Sequence, residues 1–152
     1  MIRLFSVFLA LLGMGLSGAA LAQSGDILIE DPWARASIGT GPPGVAYMTL
    51  RNQGGEVATL NGVRSEVAGR PGLHVTRTDA EGMTSMSPAG SVEIAPDEII
   101  VLEPGGRHVM LMDLQRPLVE GDSFSLAMRF ADGGEIAVEV PIRGIAATGA
   151  GE

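Results

Sequence analysis

The chain of 152 residues contains no cysteine. Without thiols it cannot form disulfides, so an exported domain of this sequence must be held together by packing alone. The absence also excludes thiolate metal sites and every reaction that uses a cysteine nucleophile. Histidine is nearly as scarce. Only His74 and His108 are present, and any site that uses imidazole must use these two.

Positive charge is also limited, with 10 basic residues against 18 acidic ones and a formal net charge of −8. A nucleic-acid-binding protein needs basic patches to replace the counterions of the phosphate backbone. Attraction to anionic lipid likewise needs clustered Lys or Arg. The charge balance therefore argues against both of these partners.

The one long apolar run of the sequence lies at its N-terminus. Arg3 precedes a short apolar core over residues 4–16, and Ala20-Leu21-Ala22 supplies the small residues of a signal-peptidase site. The core is interrupted by glycines and is shorter than the roughly 20 apolar residues that span a bilayer. We expect residues 1–22 to be a signal peptide cleaved near Ala22, which leaves an exported protein with no stable membrane insertion.

The rest of the chain is divided into short segments by Gly and Pro turns. Residues 45–50, 123–130 and 135–142 alternate between apolar and polar side chains, which is typical of half-buried strands. Further candidate strands cover residues 27–29 (before a turn at Asp31-Pro32), 57–63, 72–76, 91–94, 99–102 and 108–114. No sustained helical period is present. About eight strands predict a single antiparallel all-β domain, a sandwich or barrel, over residues 23–143. The small, polar residues 144–152 predict a flexible tail.

Two groups of residues could carry metal chemistry. His74 lies on a predicted strand, and the predicted loop after it, residues 78–87, contains Met83 and Met86. On a later strand His108 and Met110 share one face, because strand side chains alternate. The loop could bring a methionine to the same ion that these two side chains contact.

The combination of imidazole and thioether is selective. Thioether sulfur prefers the soft ion Cu(I), whereas Ca²⁺ and Mg²⁺ need oxygen ligands and zinc normally adds cysteine or carboxylate to histidine. The competing interpretation is that strand methionines fill the core and that a strand histidine is only hydrogen-bonded. We favour core packing for Met48, Met112 and Met128, and the two interpretations stay open for the others.

Signals of catalysis are absent from the sequence. It contains no nucleophile elbow or activated-serine pattern. The pair Gly105-Gly106 falls in a turn with no following helix that could hold a phosphate. We therefore expect a protein without enzymatic activity.

The two groups also match a known motif. Residues 73–130 resemble the PCuAC family of periplasmic copper chaperones, whose signature is H-x(10)-M-x(21)-H-x-M. Here 21 residues separate Met86 from His108, and one residue separates His108 from Met110. Residues 31–36, 46–52 and 102–112 resemble the family as well. There are two departures: eleven residues separate His74 from Met86, and Thr76 stands where many members have methionine.

The resemblance implies a cupredoxin-like, Greek-key β-sandwich that holds one Cu(I) through His74, Met86, His108 and Met110 in the periplasm. The extra loop residue leaves open whether Met83 replaces or supplements Met86. The family implies delivery of copper towards the Cu(A) centre of cytochrome c oxidase, alongside a Sco-type protein, and we expect a monomer. The alternatives are a periplasmic copper buffering or resistance protein and a metal-free β-sandwich that binds another protein.

Overall fold

The computed structural model describes residues 24–151, so the predicted signal peptide over residues 1–22 lies outside the described residues. In this part of the chain the protein is all β, with ten strands and one short 3-10 helix. The strands are β1 (Ile27–Arg35), β2 (Gly44–Asn52), β3 (Ala58–Ser65), β4 (Ala68–Thr78), β5 (Thr84–Pro88), β6 (Val92–Ile94), β7 (Ile99–Leu102), β8 (Arg107–Leu114), β9 (Ser123–Phe130) and β10 (Glu135–Arg143). No helix between residues 24 and 151 is long and apolar enough to cross a bilayer.

The strands follow one another in the order β5-β4-β8-β7-β2-β1-β10-β9-β3-β6. All neighbours pair antiparallel except β1 with β10 and β7 with β8, which run parallel. The two halves of this order share one apolar core. Leu50 of β2 and Leu111 of β8 contribute to it from one half, and Leu126 and Phe130 of β9 contribute from the other. The predicted β-sandwich is confirmed, with two parallel pairings inside an otherwise antiparallel arrangement.

Strand β1 is longer than its apolar residues predict. The turn predicted at Asp31-Pro32 is wrong, because the strand continues through these residues to Arg35. Its pairing with β2 shifts between Glu30 and Trp33, and Asp31 adopts a left-handed backbone with φ of 49°. This β-bulge interrupts the pairing of β1 with β2 only locally, and the pairing resumes with Trp33 opposite Tyr47.

The segment predicted to be a loop over residues 78–87 is a hairpin instead. Strand β4 extends to Thr78, and β5 pairs antiparallel with it over Thr84–Pro88. In the turn Gly82 has φ of 84°, and the Asp79 amide donates to the Met83 carbonyl. All five residues of β5 are exposed. Met86 therefore lies on an edge strand.

The remaining methionine predictions concern packing. Met48 and Met128 are 2% and 0% exposed, which confirms their place in the core. The core packing predicted for Met112 is wrong, because this residue is half-buried and lies outside the core, on the face of β8 opposite to Val109 and Leu111. Beyond β10, Ala147 is buried against Trp33 and Tyr47, which form a second small cluster outside the main core. The flexibility expected of residues 144–152 stays a prediction.

Candidate metal centre

The two histidines form a cross-strand pair. His74 on β4 and His108 on β8 are directly opposite each other in the antiparallel ladder. Their ring centroids are 6.2 Å apart, and the planes make an angle of 21°. His108 is 3% exposed and His74 is half-buried. The fold thus brings together the only two imidazoles of the chain, 34 positions apart in sequence.

The hydrogen bonds of His108 identify its tautomer. Its Nδ1 lies 3.1 Å from the Gly106 carbonyl oxygen, which can only accept. Nδ1 therefore carries the proton and Nε2 carries a lone pair. Within the described residues, His108 Nε2 and His74 Nδ1 are buried without a hydrogen-bond partner. Because buried polar atoms are normally paired, these two ring nitrogens are the candidate ligand atoms of the two histidines.

The Gly106 carbonyl has a second role. It also accepts a hydrogen bond from the Thr76 amide at 3.0 Å, which joins β4 to the turn before β8. In that turn Gly105 has φ of 82°, and the Gly106 amide donates to the Glu103 carbonyl. The turn needs a left-handed backbone conformation at this position, and glycine adopts that conformation without strain. The turn thereby fixes the orientation of the His108 ring.

Burial also controls the charge of this ring. Desolvation lowers the pKa of His108, the hydrogen bond from Nδ1 to Gly106 acts in the opposite direction, and the nearby His74 lowers the pKa further. A lowered pKa keeps the ring neutral over a wider pH range. His108 is therefore disposed to offer a lone pair instead of a positive charge.

Met110 lies on the face of the two imidazoles. It follows His108 by two residues on β8 and is opposite Gly72 on β4. Gly72 has no side chain, and a Cβ atom built at this position would lie 3.5 Å from Cε1 of His74. The His74 ring thus leans along β4 towards the row that holds Met110, which is half-buried.

The second thioether comes from the hairpin. Met86 is opposite Thr76, which lies two residues from His74 on the same face of β4, and Met86 is 49% exposed. Met83 precedes β5 at the hairpin tip and is 69% exposed. Met112 lies further along β8, opposite Arg70, four residues from His108. The register thus places Met86 and Met110 one row to either side of the histidine pair, at Thr76 and Gly72, and leaves Met83 and Met112 further away.

An aromatic pair on the face of His108 was missed by sequence reasoning. The ladder between β2 and β8 ends at Ala46 opposite Val109, so Tyr47 and His108, the next residue of each strand, lie on the same face. Tyr47 is 4% exposed, and its ring centroid lies 4.7 Å from that of Trp33. Burial raises the pKa of Tyr47, and Arg35 opposes this shift. A sequence signal existed, since these are the only tryptophan and the only tyrosine and both fall near predicted strands.

The donor set limits the ions that could be held. Among residues 24–151 no group of three or more His, Asp or Glu side chains could hold a metal ion. A site on this face would rest on two imidazoles and two thioethers. Such donors suit a soft ion and do not suit Ca²⁺, Mg²⁺ or the usual zinc coordination.

Similarity to other proteins covers most of the chain. The family model described as "Putative lipoprotein LpqE-like" matches residues 27–142. The protein "Putative lipoprotein Lxx21020" of Leifsonia xyli subsp. xyli is 30% identical over 140 residues, which is 86% of this chain and 83% of that protein. The region matched by the family model contains His74, Met86, His108 and Met110.

Solved structures share the fold. The solution structure of CuI-DR1885 from Deinococcus radiodurans superimposes with a TM-score of 0.60 at 27% identity, covering 80% of this chain and 83% of that one. The copper-bound PCuAC domain from PmoF2 has a TM-score of 0.65 at 23% identity, covering 79% and 94%. The cupredoxin-like fold and the PCuAC resemblance are thereby confirmed, and the chain belongs to the LpqE-like family.

Proposed function

We propose that this protein is a copper chaperone that binds one Cu(I) ion as cargo through His74, Met86, His108 and Met110. The observation that carries the proposal is the pair of buried, unpartnered imidazole nitrogens on adjacent strands, with two thioethers on the same face. The copper(I) form of DR1885, a structural relative at 27% identity, supports the choice of ion.

The four groups suit a cargo ion. Cu(I) is soft and has no strict geometric demand, so two imidazoles and two thioethers at moderate precision suffice. The two thioethers carry no charge, and His108 keeps its proton on Nδ1 and presents Nε2. A hydrogen bond from the non-ligating nitrogen to a backbone carbonyl is the usual way in which a metal-binding histidine is oriented. Gly106 supplies this carbonyl.

Release would proceed by ligand exchange without a catalysed reaction. Met86 is half exposed and lies on an edge strand, whereas His108 is buried on β8, which lies inside the sheet. An incoming ligand would replace Met86 first and the histidines last, so free Cu(I) would not form. From the family resemblance we infer that the acceptor is the Cu(A) centre of cytochrome c oxidase, with a Sco-type partner. We also infer that the chaperone is monomeric and periplasmic.

The binding step is tested by anaerobic titration of the mature protein, residues 23–152, with Cu(I) against a coloured chelator. We expect one ion per chain in the wild type and weaker binding in His74→Ala and His108→Ala. Met128→Leu is the matched control, because Met128 is fully buried in the core and should not affect copper. Failure of the wild type to compete with the chelator would contradict the proposal.

The delivery step needs a separate experiment in cells. A strain that lacks the protein should have less assembled Cu(A) centre, and copper supplementation should restore it. A strain that is copper-sensitive but has normal oxidase would favour copper buffering instead.

A further inference from the structure

A cavity lies beside the proposed copper site, on the side of Met110 that faces away from His74. It has a volume of about 280 Å³, and its lining includes Arg35, Ile38, Pro42, Val45 and Ile145. Val45 on β2 is directly opposite Met110 on β8, so the two side chains are neighbours on one face. Val45 therefore lines the cavity and is also the neighbour of one proposed copper ligand.

The rim of this cavity is apolar. Ile38 is 74% exposed and Ile145 is 55% exposed. Single exposed apolar side chains are common on protein surfaces, but two large ones at the mouth of one cavity form a local patch that a partner can cover. Pro42 and Pro43 restrict the backbone of the loop on the same rim.

The same cavity contains a positive charge. The Arg35 Nε donates to the Ala147 carbonyl at 2.8 Å, and the guanidinium lies 5.9 Å and 5.7 Å from the ring centroids of Trp33 and Tyr47. Across the described part of the chain, ion pairs join Arg51 to Glu30 and Arg64 to Glu135, and none includes Arg35. Arg35, like most arginines of residues 24–151, thus forms no ion pair, and it places a positive charge in the lining of the cavity.

We propose that this cavity is the docking site for the copper acceptor, which inserts an apolar side chain between Ile38 and Ile145 and pairs an adjacent carboxylate with Arg35. The inference rests on the proposed function, because it names the surface through which the cargo leaves. From Val45 on β2 to Met86 on β5 the face crosses β8 and β4 and runs from the Gly72 row to the Thr76 row of β4, a span of about 20 Å at the usual strand and residue spacings. A partner anchored at the cavity therefore reaches the exposed thioether.

The test follows transfer of Cu(I) from the loaded mature protein to the apo Cu(A) domain of cytochrome c oxidase by stopped-flow absorbance. Ile38→Asp should slow transfer about tenfold, since it removes an apolar anchor and repels a carboxylate. Ile38→Lys loses the same apolar contact but attracts a carboxylate, so it should slow transfer less. Val57→Asp is the matched control, because Val57 is 43% exposed and lies outside the cavity lining, and it should transfer at the wild-type rate.

Cu(I) affinity is measured for each variant against the chelator, which separates binding from docking. If the wild type does not bind Cu(I), the proposed function itself is refuted. Normal binding with unchanged transfer in Ile38→Asp would overturn the docking site alone, whereas a wild type that binds Cu(I) but transfers none to the Cu(A) domain would refute the proposed delivery. Equal slowing by Asp and Lys would overturn the carboxylate pairing.

Discussion

His74 and His108 face each other across β4 and β8, and each has a buried ring nitrogen without a hydrogen-bond partner within residues 24–151. Their alignment depends on the register of this ladder, which also buries Leu73 and Val109 on the opposite face. A slip by one residue would turn these core side chains outward. The core thus fixes the register that aligns the two imidazoles.

The two hairpin methionines should differ in their effect on copper. Met86→Ala should lower the Cu(I) affinity about tenfold, which corresponds to about 1.4 kcal/mol, because Met86 lies next to the histidines. Met83→Ala removes an equally soft group from the tip of the same hairpin and should leave the affinity unchanged. Chelator competition measures both. A larger effect from Met83 would mean that the extra residue before Met86 shifts the ligand.

Copper affinity should depend on pH. A proton competes with the metal for each imidazole lone pair, so affinity falls as the pH drops below roughly 6.5, the ordinary histidine pKa. Burial lowers the pKa of His108, so protons displace copper from this ring only at a pH further below that value. Chelator competition between pH 5 and 8 should give a limiting slope of at most two protons. A flat profile would show that neither ring is a ligand.

A third thioether can be added on the same face. Thr76 is half-buried, opposite Met86 and two residues from His74. Thr76→Met should tighten Cu(I) binding by on the order of tenfold, the factor that corresponds to about 1.4 kcal/mol. Thr78→Met is the control, since it shares the face but lies one step further from the histidines. Equal tightening by both variants would mean that proximity to the histidines is unimportant.

The C-terminal segment should protect the tryptophan without affecting copper. Ala147 covers Trp33 and Tyr47 and accepts the hydrogen bond of Arg35. Deletion of residues 147–152 should shift the emission of Trp33, the only tryptophan, to longer wavelength, because water gains access to the ring. Cu(I) affinity should not change. An unaltered emission spectrum would mean that the segment does not cover the ring in solution and would support the predicted flexible tail.

Alternation and turn residues predicted much of this architecture. The predicted strand over residues 123–130 coincides with β9, because its apolar side chains alternate and glycines bound it. The shared face of His108 and Met110 also followed from alternation. In contrast, β5 has five exposed residues and no apolar face, so it carried no strand signal.

Relationships between strands could not be read from the sequence. The pairing of His74 with His108, and the position of Tyr47 beside them, depend on which strands become neighbours and in which register. Local periodicity contains neither piece of information. The bulge in β1 depends on the backbone of Asp31, and its Asp-Pro sequence is equally typical of a turn.

The proposed ligands lie on strands of different local stability, because β5 is the outer strand of the hairpin that it forms with β4. Strand β5 has a single neighbour and contributes no buried side chain, whereas β8 lies inside the sheet and contributes Val109 and Leu111 to the core. The free energy needed to open β5 is therefore a small part of the global free energy of unfolding. The protein can separate one ligand from the others by a local fluctuation, while the domain that holds the histidines stays folded.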